Sequence, residues 1–362
     1  MNIGLFMDTS QACYNTLNYF MGCIEIELNY FKIHTERIYK VDHLLTGTWN
    51  ALIMINNRLP SEQENDGTFL LDHLNCPVFL ILVDPPYFHH HVLDSHMDNL
   101  HLILLDQEHV EYCKNYYPPF KSISMSYLLG PVETAKNYEE RQIDILFTGT
   151  LHDGDHKEEV IRACPYEWTG SLFDALIQNG ITHPEMSTFQ TLTTLFRQNN
   201  ISCSDDDLKL LMNVFGIHSE LYLRRYFRKK IITLLVDAGL QVHVAGGGWE
   251  DLYPSHPDNL ILEGSINFLE TAALTANAKV SLNIMPWFKD GLHDRILTSM
   301  LNGSLCLTDS NPYIKSHFED GKDIVFYDLQ HLEDLPRKIE WFLQNSGQGK
   351  IDCLHRTKQS PA

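Results

Sequence analysis

Residues 279 to 328 carry the pattern that most constrains the fold of this chain. Buried-strand runs at 278–284 and 304–309 are separated by a polar loop at 285–293 and an amphipathic helix that ends at Asn302-Gly303. A short helix at 314–318 and a third strand at 324–328 follow. Strands that alternate with helices in this way predict a parallel sheet of the α/β class.

The loop at 285–293 has the features of an anion-binding loop. It contains Gly291 and leads from the carboxyl end of a strand into a helix, so that backbone N–H groups and the positive end of the helix dipole face a ligand. We expect Asp294 to cap this helix and Arg295 to supply a cation.

Composition excludes several classes of protein. The chain has 362 residues and 44% hydrophobic content, which suits two globular domains. Its formal charge of −20 argues against nucleic acid or an anionic membrane as the main partner. The start of the chain lacks the features of a signal peptide, and no apolar run approaches the roughly 20 residues of a membrane helix. We therefore expect a cytoplasmic protein without a transmembrane segment.

Two α/β halves are predicted on either side of a polar passage at 130–140. Strands of the first half are expected at 3–7, 25–28, 51–55, 78–83, 101–105 and 121–124. The second half begins with a strand at 143–148, but its next strand arrives only at 241–245, so a helical region at about 157–219 is inserted. The predicted domains are 1–138 and 139–345, followed by a tail at 346–362.

The predicted strand ends of the second half all carry glycine or polar residues. They are Gly149-Thr150, Gly246-Gly247-Gly248-Trp249, Glu263-Gly264-Ser265, the loop at 285–293 and Asp309-Ser310-Asn311. Ligands of open parallel sheets bind at the carboxyl ends of the strands. The combination therefore predicts a ligand crevice along this edge.

The order of these motifs resembles that of a known family. From Asp144 to Phe342, without the insertion, the chain is similar to the glycosyl-transferase-like domain of bacterial spore-maturation proteins, within the group 1-like glycosyltransferases of GT-B fold. The matching motifs are DILFTGT at 144–150, AGGGW at 245–249, LEGSI at 262–266, GLHDR at 291–295, LCLTD at 305–309 and FEDGKDIV at 318–325. In the first half, only the topology and the Val83-Asp84-Pro85-Pro86 turn look alike.

The resemblance implies an α/β protein of two Rossmann-like domains that face a cleft. The second domain would bind a nucleotide-sugar, expected to be a UDP-sugar, and the first would hold a hydroxyl acceptor on a protein, a glycan or a small molecule. No cofactor and no metal are expected, because helix and arginine charge replace the metal. The substrate-binding positions would be Gly149, Thr150, Gly247, Gly248, Trp249, Gly264, Ser265, Gly291, His293, Asp294 and Thr298. A buried core position is an equal alternative for Trp249.

Thr298 departs from the family pattern. Many relatives have a glutamate at this position to hold ribose hydroxyls, and the Glu-x7-Glu pattern is Asp290-x7-Thr298 in this chain. The sugar, the nucleotide and the stereochemical course therefore stay open. Two alternatives also stay open: a GT-B module that binds a partner without catalysis, and a nucleotide-sugar epimerase.

The catalytic set predicted from the sequence is Asp8, Asp84 and Arg295. Asp8 and Asp84 follow predicted strands and are candidates for the base that deprotonates the acceptor, with His89, His90 and His91 as further candidates. Alternatively, Asp8 caps a helix and Asp84 only shapes a turn.

Two polar clusters remain. One contains His152, Asp153, Asp155 and His156, for which a solvated loop, a donor-sugar contact and a metal site are alternatives. The other contains Arg224, Arg225, Arg228, Lys229 and Lys230 on a helix predicted at 221–240. This second cluster favours a solvated face, with one arginine directed at a ligand phosphate as the alternative.

Overall fold

The computed structural model describes residues 1–7, 9–10, 12–95, 97–117, 119–151 and 156–345. Contacts divide the chain into two compact units. Unit 1 comprises Met1–Leu128 and Asp205–Asn213, and unit 2 comprises Leu129–Ser204 and the chain from Val214 onward. The chain thus enters unit 2 before residue 138, and residues 205–213 of the helical region at 157–219 lie in unit 1.

Unit 1 is built on a parallel sheet with the strand order β2-β1-β3-β4-β5-β6 in the described part of the chain. Its elements up to residue 125 are β1 (Asn2–Phe6), α1 (Ala12–Tyr30), β2 (His34–Ile38), α2 (Val41–Thr46), β3 (Ala51–Ile55), β4 (Val78–Leu82), α3 (His90–Leu93), β5 (Leu100–Leu104), α4 (Gln107–Tyr116) and β6 (Ser122–Met125). The central strands β3 and β4 are apolar almost throughout, because helices cover parallel sheets on both faces.

The strand predicted at 25–28 is wrong, because these residues belong to α1. Cys-Ile-Glu-Ile-Glu-Leu at 23–28 alternates like a strand, but it continues the helix that buries Phe20 and Met21 one turn earlier. The second strand is instead β2, whose sequence His-Thr-Glu-Arg-Ile is mostly polar because β2 lies at the edge of the sheet. An edge strand of this kind lacks the apolar run by which strands are recognised.

Unit 2 contains a second parallel sheet, with the order β12-β11-β10-β7-β8-β9. The remaining elements of the described chain are β7 (Ile143–Thr148), α5 (Lys157–Ala163), α6 (Thr169–Thr182), α7 (Thr188–Gln198), α8 (Asp205–Leu211, in unit 1), α9 (Ile217–Asp237), β8 (Val242–Ala245), β9 (Leu260–Gly264), α10 (Thr271–Ala276), β10 (Ala278–Asn283), α11 (Asp294–Leu301), β11 (Leu305–Asp309), α12 (Pro312–His317), β12 (Val325–Tyr327) and α13 (Leu335–Asn345). The predicted α/β fold with two parallel sheets is confirmed.

The order of the strands in unit 2 reverses between β7 and β10. The chain builds β7, β8 and β9 in one direction and then returns to add β10, β11 and β12 in the other. Loops that leave the carboxyl ends of β7 and β10 therefore diverge, which opens the crevice where doubly wound sheets bind their ligands. None of the helices in the described ranges combines the length and apolar character needed to cross a membrane.

Candidate active site

Arg295 bridges the two strands at this reversal point. Its Nε donates to Thr148 Oγ1 (3.2 Å) at the end of β7, and its Nη1 donates to Asn283 Oδ1 (2.9 Å) at the end of β10. The guanidinium also lies 5.3 Å from the centre of the Phe147 ring. Arg295, which the GLHDR motif predicted as a cation, thus lies where the strand order of the second sheet reverses.

The helix that carries Arg295 is capped by His293, not by Asp294 as predicted. The Nδ1 atom of His293 accepts the backbone N–H of Arg295 (3.1 Å), and Asp294 is the first helical residue. Burial lowers the pKa of His293, which favours the neutral ring that this cap requires. Burial opposes ionisation of Asp294, but neighbouring groups, Arg295 among them, outweigh it and lower the pKa of this carboxyl.

Two further arginines reach the same place from α9. Arg228 is only 4% exposed, and its Nη1 donates to the carbonyl oxygen of Thr150 (2.5 Å). Its guanidinium lies 5.5 Å from the ring centre of Phe147 and 5.3 Å from that of Trp287. Arg224, one turn earlier, stacks on Trp287 at 3.9 Å. The cluster of Arg224, Arg228 and Arg295 is hereafter called the arginine cluster.

The arginine cluster concentrates positive charge in a buried place. Burial, together with the positive charges of Arg295 and Arg224, lowers the pKa of Arg228 well below its usual value. The Nε of Arg228 has no hydrogen-bond partner among the described residues. Placing like charges together in a medium of low dielectric constant costs free energy, which a bound anion would recover.

The prediction of a solvated basic face on α9 is therefore wrong for Arg224 and Arg228, although Lys229 and Lys230 are exposed. The missed signal is helical periodicity. Positions 224 and 228 lie beside Leu223 and Phe227 on the buried stripe, and they recur at the i, i+4 spacing of that stripe. Arginine on the apolar face of a helix indicates a partner inside the fold.

The Gly246–Gly248 segment packs on the turn that follows β7. Leu151 N donates to Gly247 O (2.9 Å), and Gly149 N donates to Ala245 O (2.7 Å). A Cβ on Gly246, whose φ is +139°, would stand 2.6 Å from the carbonyl of Gly149. Glycine is thus required here for the close approach of two backbones. The amide of Gly149, a predicted substrate-binding position, is used within the chain, as is that of Leu151.

Trp249 packs against this turn from the protein core. Its ring is 1% exposed and packs edge-on against Phe147 (5.7 Å), while its Nε1 donates to Gly149 O (2.8 Å). A ring buried this deeply has no surface to offer a nucleotide base, so the core alternative holds. By contrast, Gly264 has a φ of +73° and open space where a Cβ would stand, and Ser265 is exposed.

Thr298 is covered by the chain itself. Its hydroxyl donates to Asp294 O (2.8 Å), and a Cβ on Gly130 would stand 2.1 Å from Thr298 Oγ1. Asn302 holds the covering segment in place through Pro131 O (2.9 Å) and Glu133 N (2.8 Å). The larger glutamate of many relatives would displace this segment, which gives a steric reason for threonine.

A cavity of about 630 Å³ opens at the carboxyl ends of β11 and β12. Its lining includes Pro286, Lys289, Asp309, Asn311 and Tyr327. Asn311 ties the loop at 285–293 to this edge, because its Nδ2 donates to the carbonyl oxygen of Gly291 (2.9 Å). Burial raises the pKa of Asp309 to about 6, while its Oδ1 accepts the N–H of Met285 (2.9 Å).

In unit 1, Asp84 and His89 follow β4. Asp84 Oδ2 accepts a hydrogen bond from Asn56 Nδ2 (2.9 Å), and Asn56 itself follows β3. His89 is 8% exposed, and neither ring nitrogen has a hydrogen-bond partner among the described residues. Burial lowers the pKa of His89 to about 4, although the Asp84 charge opposes the shift. Asp8, the other predicted base, lies outside the described residues.

His89 is expected to make stability depend on pH. Its pKa is about 4 in the folded chain and 6.5 when unfolded, so the unfolded state binds more protons between these values. The free energy of unfolding should therefore fall by about 3 kcal/mol as the pH drops from 6.5 to 4. Denaturant titrations between pH 4 and 6.5 should show that His89→Gln loses about this much of the pH dependence of the wild-type free energy of unfolding. An unchanged slope in His89→Gln would contradict the assignment, and the exposed His73→Gln serves as the control.

Residues His152, Asp153 and Asp155 of the predicted polar cluster lie outside the described residues. His156 is described, and its Nδ1 lies 2.5 Å from Glu159 Oε2.

Comparisons with known proteins indicate the same fold. Residues 224–349 match a family model described as glycosyl transferase-like, and no curated protein sequence matches the chain. One similar structure is the DNA modifying enzyme beta-glucosyltransferase, in the presence and absence of uridine diphosphoglucose. It is 10% identical, with a TM-score of 0.54 over 99% of this chain and 95% of that chain.

Two other structures are comparably similar. An alpha-glucosyltransferase in complex with UDP and a 13-mer DNA containing an HMU base is 11% identical, with a TM-score of 0.52 over 98% of this chain and 93% of that chain. Anabaena HepE in complex with UDP and glucose is 9% identical, with a TM-score of 0.51 over 98% of this chain and 92% of that chain. The chain thus shares the two-sheet α/β fold of these GT-B glycosyltransferases, and its residues 224–349 are similar to a glycosyl transferase-like family.

Proposed function

We propose that this protein is a glycosyltransferase that moves a sugar from a nucleoside-diphosphate sugar, a UDP-sugar, to a hydroxyl acceptor. The observation that carries the proposal is the arginine cluster at the reversal point of the second sheet. Arg228 and Arg295 approach Thr150 and Thr148 from two different helices, and Arg228 is buried beside positive charges. A diphosphate supplies the charge and the acceptor oxygens that two guanidinium groups can bind.

The strand order suggests how the donor lies along the sheet. We assign the diphosphate to the β7 and β10 ends, where Arg295 bridges the two strands. The nucleoside would lie towards the β8 and β9 ends, where Gly264 leaves open space and Ser265 is exposed. The sugar would enter the cavity beside Lys289 and Asp309. This arrangement places the leaving phosphate beside the strongest positive charge of the site.

The positive charge of the arginines would also promote departure of the diphosphate from the sugar. As the bond from the sugar to the diphosphate breaks, negative charge grows on the leaving oxygens, and a fixed guanidinium stabilises that charge without reorganisation of solvent. No metal on the diphosphate is needed in this mechanism. We propose that unit 1 binds the acceptor and that Asp84 or His89 takes the hydroxyl proton. The acceptor belongs to a protein, a glycan or a small molecule, and the charge of −20 disfavours duplex DNA.

Two of the similar structures are a DNA modifying enzyme and a complex with DNA, so the acceptor class needs a direct test. Release of UDP from UDP-glucose should be measured with water alone, with oligosaccharides, with a protein acceptor and with duplex DNA. Donor turnover without any product on DNA supports the proposed acceptor class. Conversion of the donor sugar without release of UDP would point to an epimerase.

Donor binding is expected to appear as a change in melting temperature. A ligand present at 100 times its dissociation constant stabilises the fold by about 2.7 kcal/mol. UDP and UDP-glucose should therefore raise the melting temperature by several degrees, whereas uridine should not, because the anchoring groups are directed at phosphate. Absence of a shift with every nucleoside diphosphate and nucleotide sugar would exclude the donor site.

A further inference from the structure

A second cluster of chemically active side chains lies away from the arginine cluster. His156 immediately precedes α5, Glu159 lies in the first turn of α5, and His218 lies in the first turn of α9. Each residue contributes one possible ligand atom, and these three atoms lie within 4.8 Å of one another. Two imidazole rings and one carboxylate thus converge from two helices that the chain sequence separates.

The distances between these atoms suit a small divalent cation. His156 Nδ1 lies 2.5 Å and His218 Nδ1 lies 3.7 Å from the same oxygen, Glu159 Oε2. Zinc binds nitrogen and oxygen at about 2.0–2.2 Å with tetrahedral angles, so two of its ligands stand roughly 3.3 Å apart. The two observed distances lie on either side of this value. The third distance, between the ligand atoms of the two histidines, is at most 4.8 Å.

The surroundings of His218 supply an independent observation. Its Nδ1 is shielded from solvent and has no hydrogen-bond partner among the described residues. A buried ring nitrogen without a partner is costly, and a metal ion provides the missing contact. Exposed histidine–carboxylate pairs elsewhere differ in this respect. His183 and Glu185, for example, lie 3.4 Å apart with both side chains more than half exposed.

We propose that His156, Glu159 and His218 form a binding site for a divalent transition metal, with Zn²⁺ as the best fit. Two neutral imidazoles and a carboxylate are the ligand set that zinc accepts, and they leave a fourth position for water. The ion would link α5, at the start of the helical region that follows β7, to α9, which carries Arg224 and Arg228. Its role is to hold the two helices together. It lies outside the contacts assigned to the diphosphate and takes no part in transfer.

The test uses the full chain, stripped of metal with a chelator and then dialysed. Co²⁺ is added first, because it takes zinc sites and its visible absorption reports on coordination. Zn²⁺ is then measured by calorimetry in the absence of any nucleotide. We expect one equivalent of either ion to bind, and Zn²⁺ at 100 times its dissociation constant to raise the melting temperature by roughly 3–4 °C.

Variants decide whether these residues are the ligands. His218→Gln and Glu159→Gln should each weaken Zn²⁺ binding at least about 100-fold and abolish the cobalt spectrum. His183→Gln, which alters a histidine–carboxylate pair that has no third ligand among the described residues, should bind as wild type does. Zn²⁺ binding that persists in both site variants would overturn the proposal. Absence of Zn²⁺ binding to the wild type at about 100 µM ion would overturn it as well. Since no nucleotide is present, this outcome is independent of the proposed donor site.

Discussion

Replacing Arg228 by methionine is expected to abolish most donor binding while leaving the unliganded protein as stable as the wild type, or more stable. Loss of one partner from a buried, hydrogen-bonded charge pair costs about 2–5 kcal/mol of binding, equivalent to at least about 30-fold in the dissociation constant for UDP. The free protein, by contrast, loses a buried cation that stands among other positive charges. Calorimetric titration with UDP and a melting curve on the same sample measure both quantities.

The combination of effects separates a ligand role from a structural one. If Arg228 serves chiefly to hold Thr150 O, Arg228→Met should lower the melting temperature and leave UDP affinity unchanged, which would contradict the donor assignment. Lys229→Met is the matched control, because it removes an exposed charge from the next position of α9. It should alter neither quantity.

Replacing Arg295 by alanine is expected to lower the rate of the chemical step as well as donor affinity. Charge grows on the leaving diphosphate as the bond breaks, so this contact is stronger in the transition state than in the ground state. Loss of one such electrostatic contact costs on the order of 10²-fold in turnover or more. Arg295→Lys should recover only part of the rate, because an ammonium group cannot reach both Thr148 and Asn283 in the planar geometry of a guanidinium.

Donor hydrolysis measured as UDP release from UDP-glucose checks this prediction without a known acceptor. Arg197→Ala, on the exposed end of α7, provides a control with the same change of side chain. A folded Arg295→Ala protein that turns over at the wild-type rate would exclude the phosphate role. In that case the bridge to Thr148 and Asn283 would be structural, and a lower melting temperature would be its expected trace.

Local sequence patterns predicted the secondary structure correctly where it depends on residues close together in the chain. The buried runs of β7, β10 and β11, the glycines after β7 and β8, and the position of Arg295 at the start of α11 were all predicted from the order of neighbouring residues. Hydrophobic periodicity and turn chemistry act within a few residues, and the sequence displays them directly. The same patterns failed for β2, because an edge strand buries little apolar surface.

The sequence by itself therefore determined the α/β class, the strand ends at which we predict the site and the resemblance of residues 144–342 to a glycosyltransferase family. Only the tertiary structure decided how those strand ends are used. In the structure, Trp249 and the Gly246–Gly248 segment pack against the turn after β7, and residue 130 covers Thr298. Arg228 of α9 donates a hydrogen bond to Thr150. These contacts join residues far apart in the chain, and no local pattern encodes them, because burial and charge act through space.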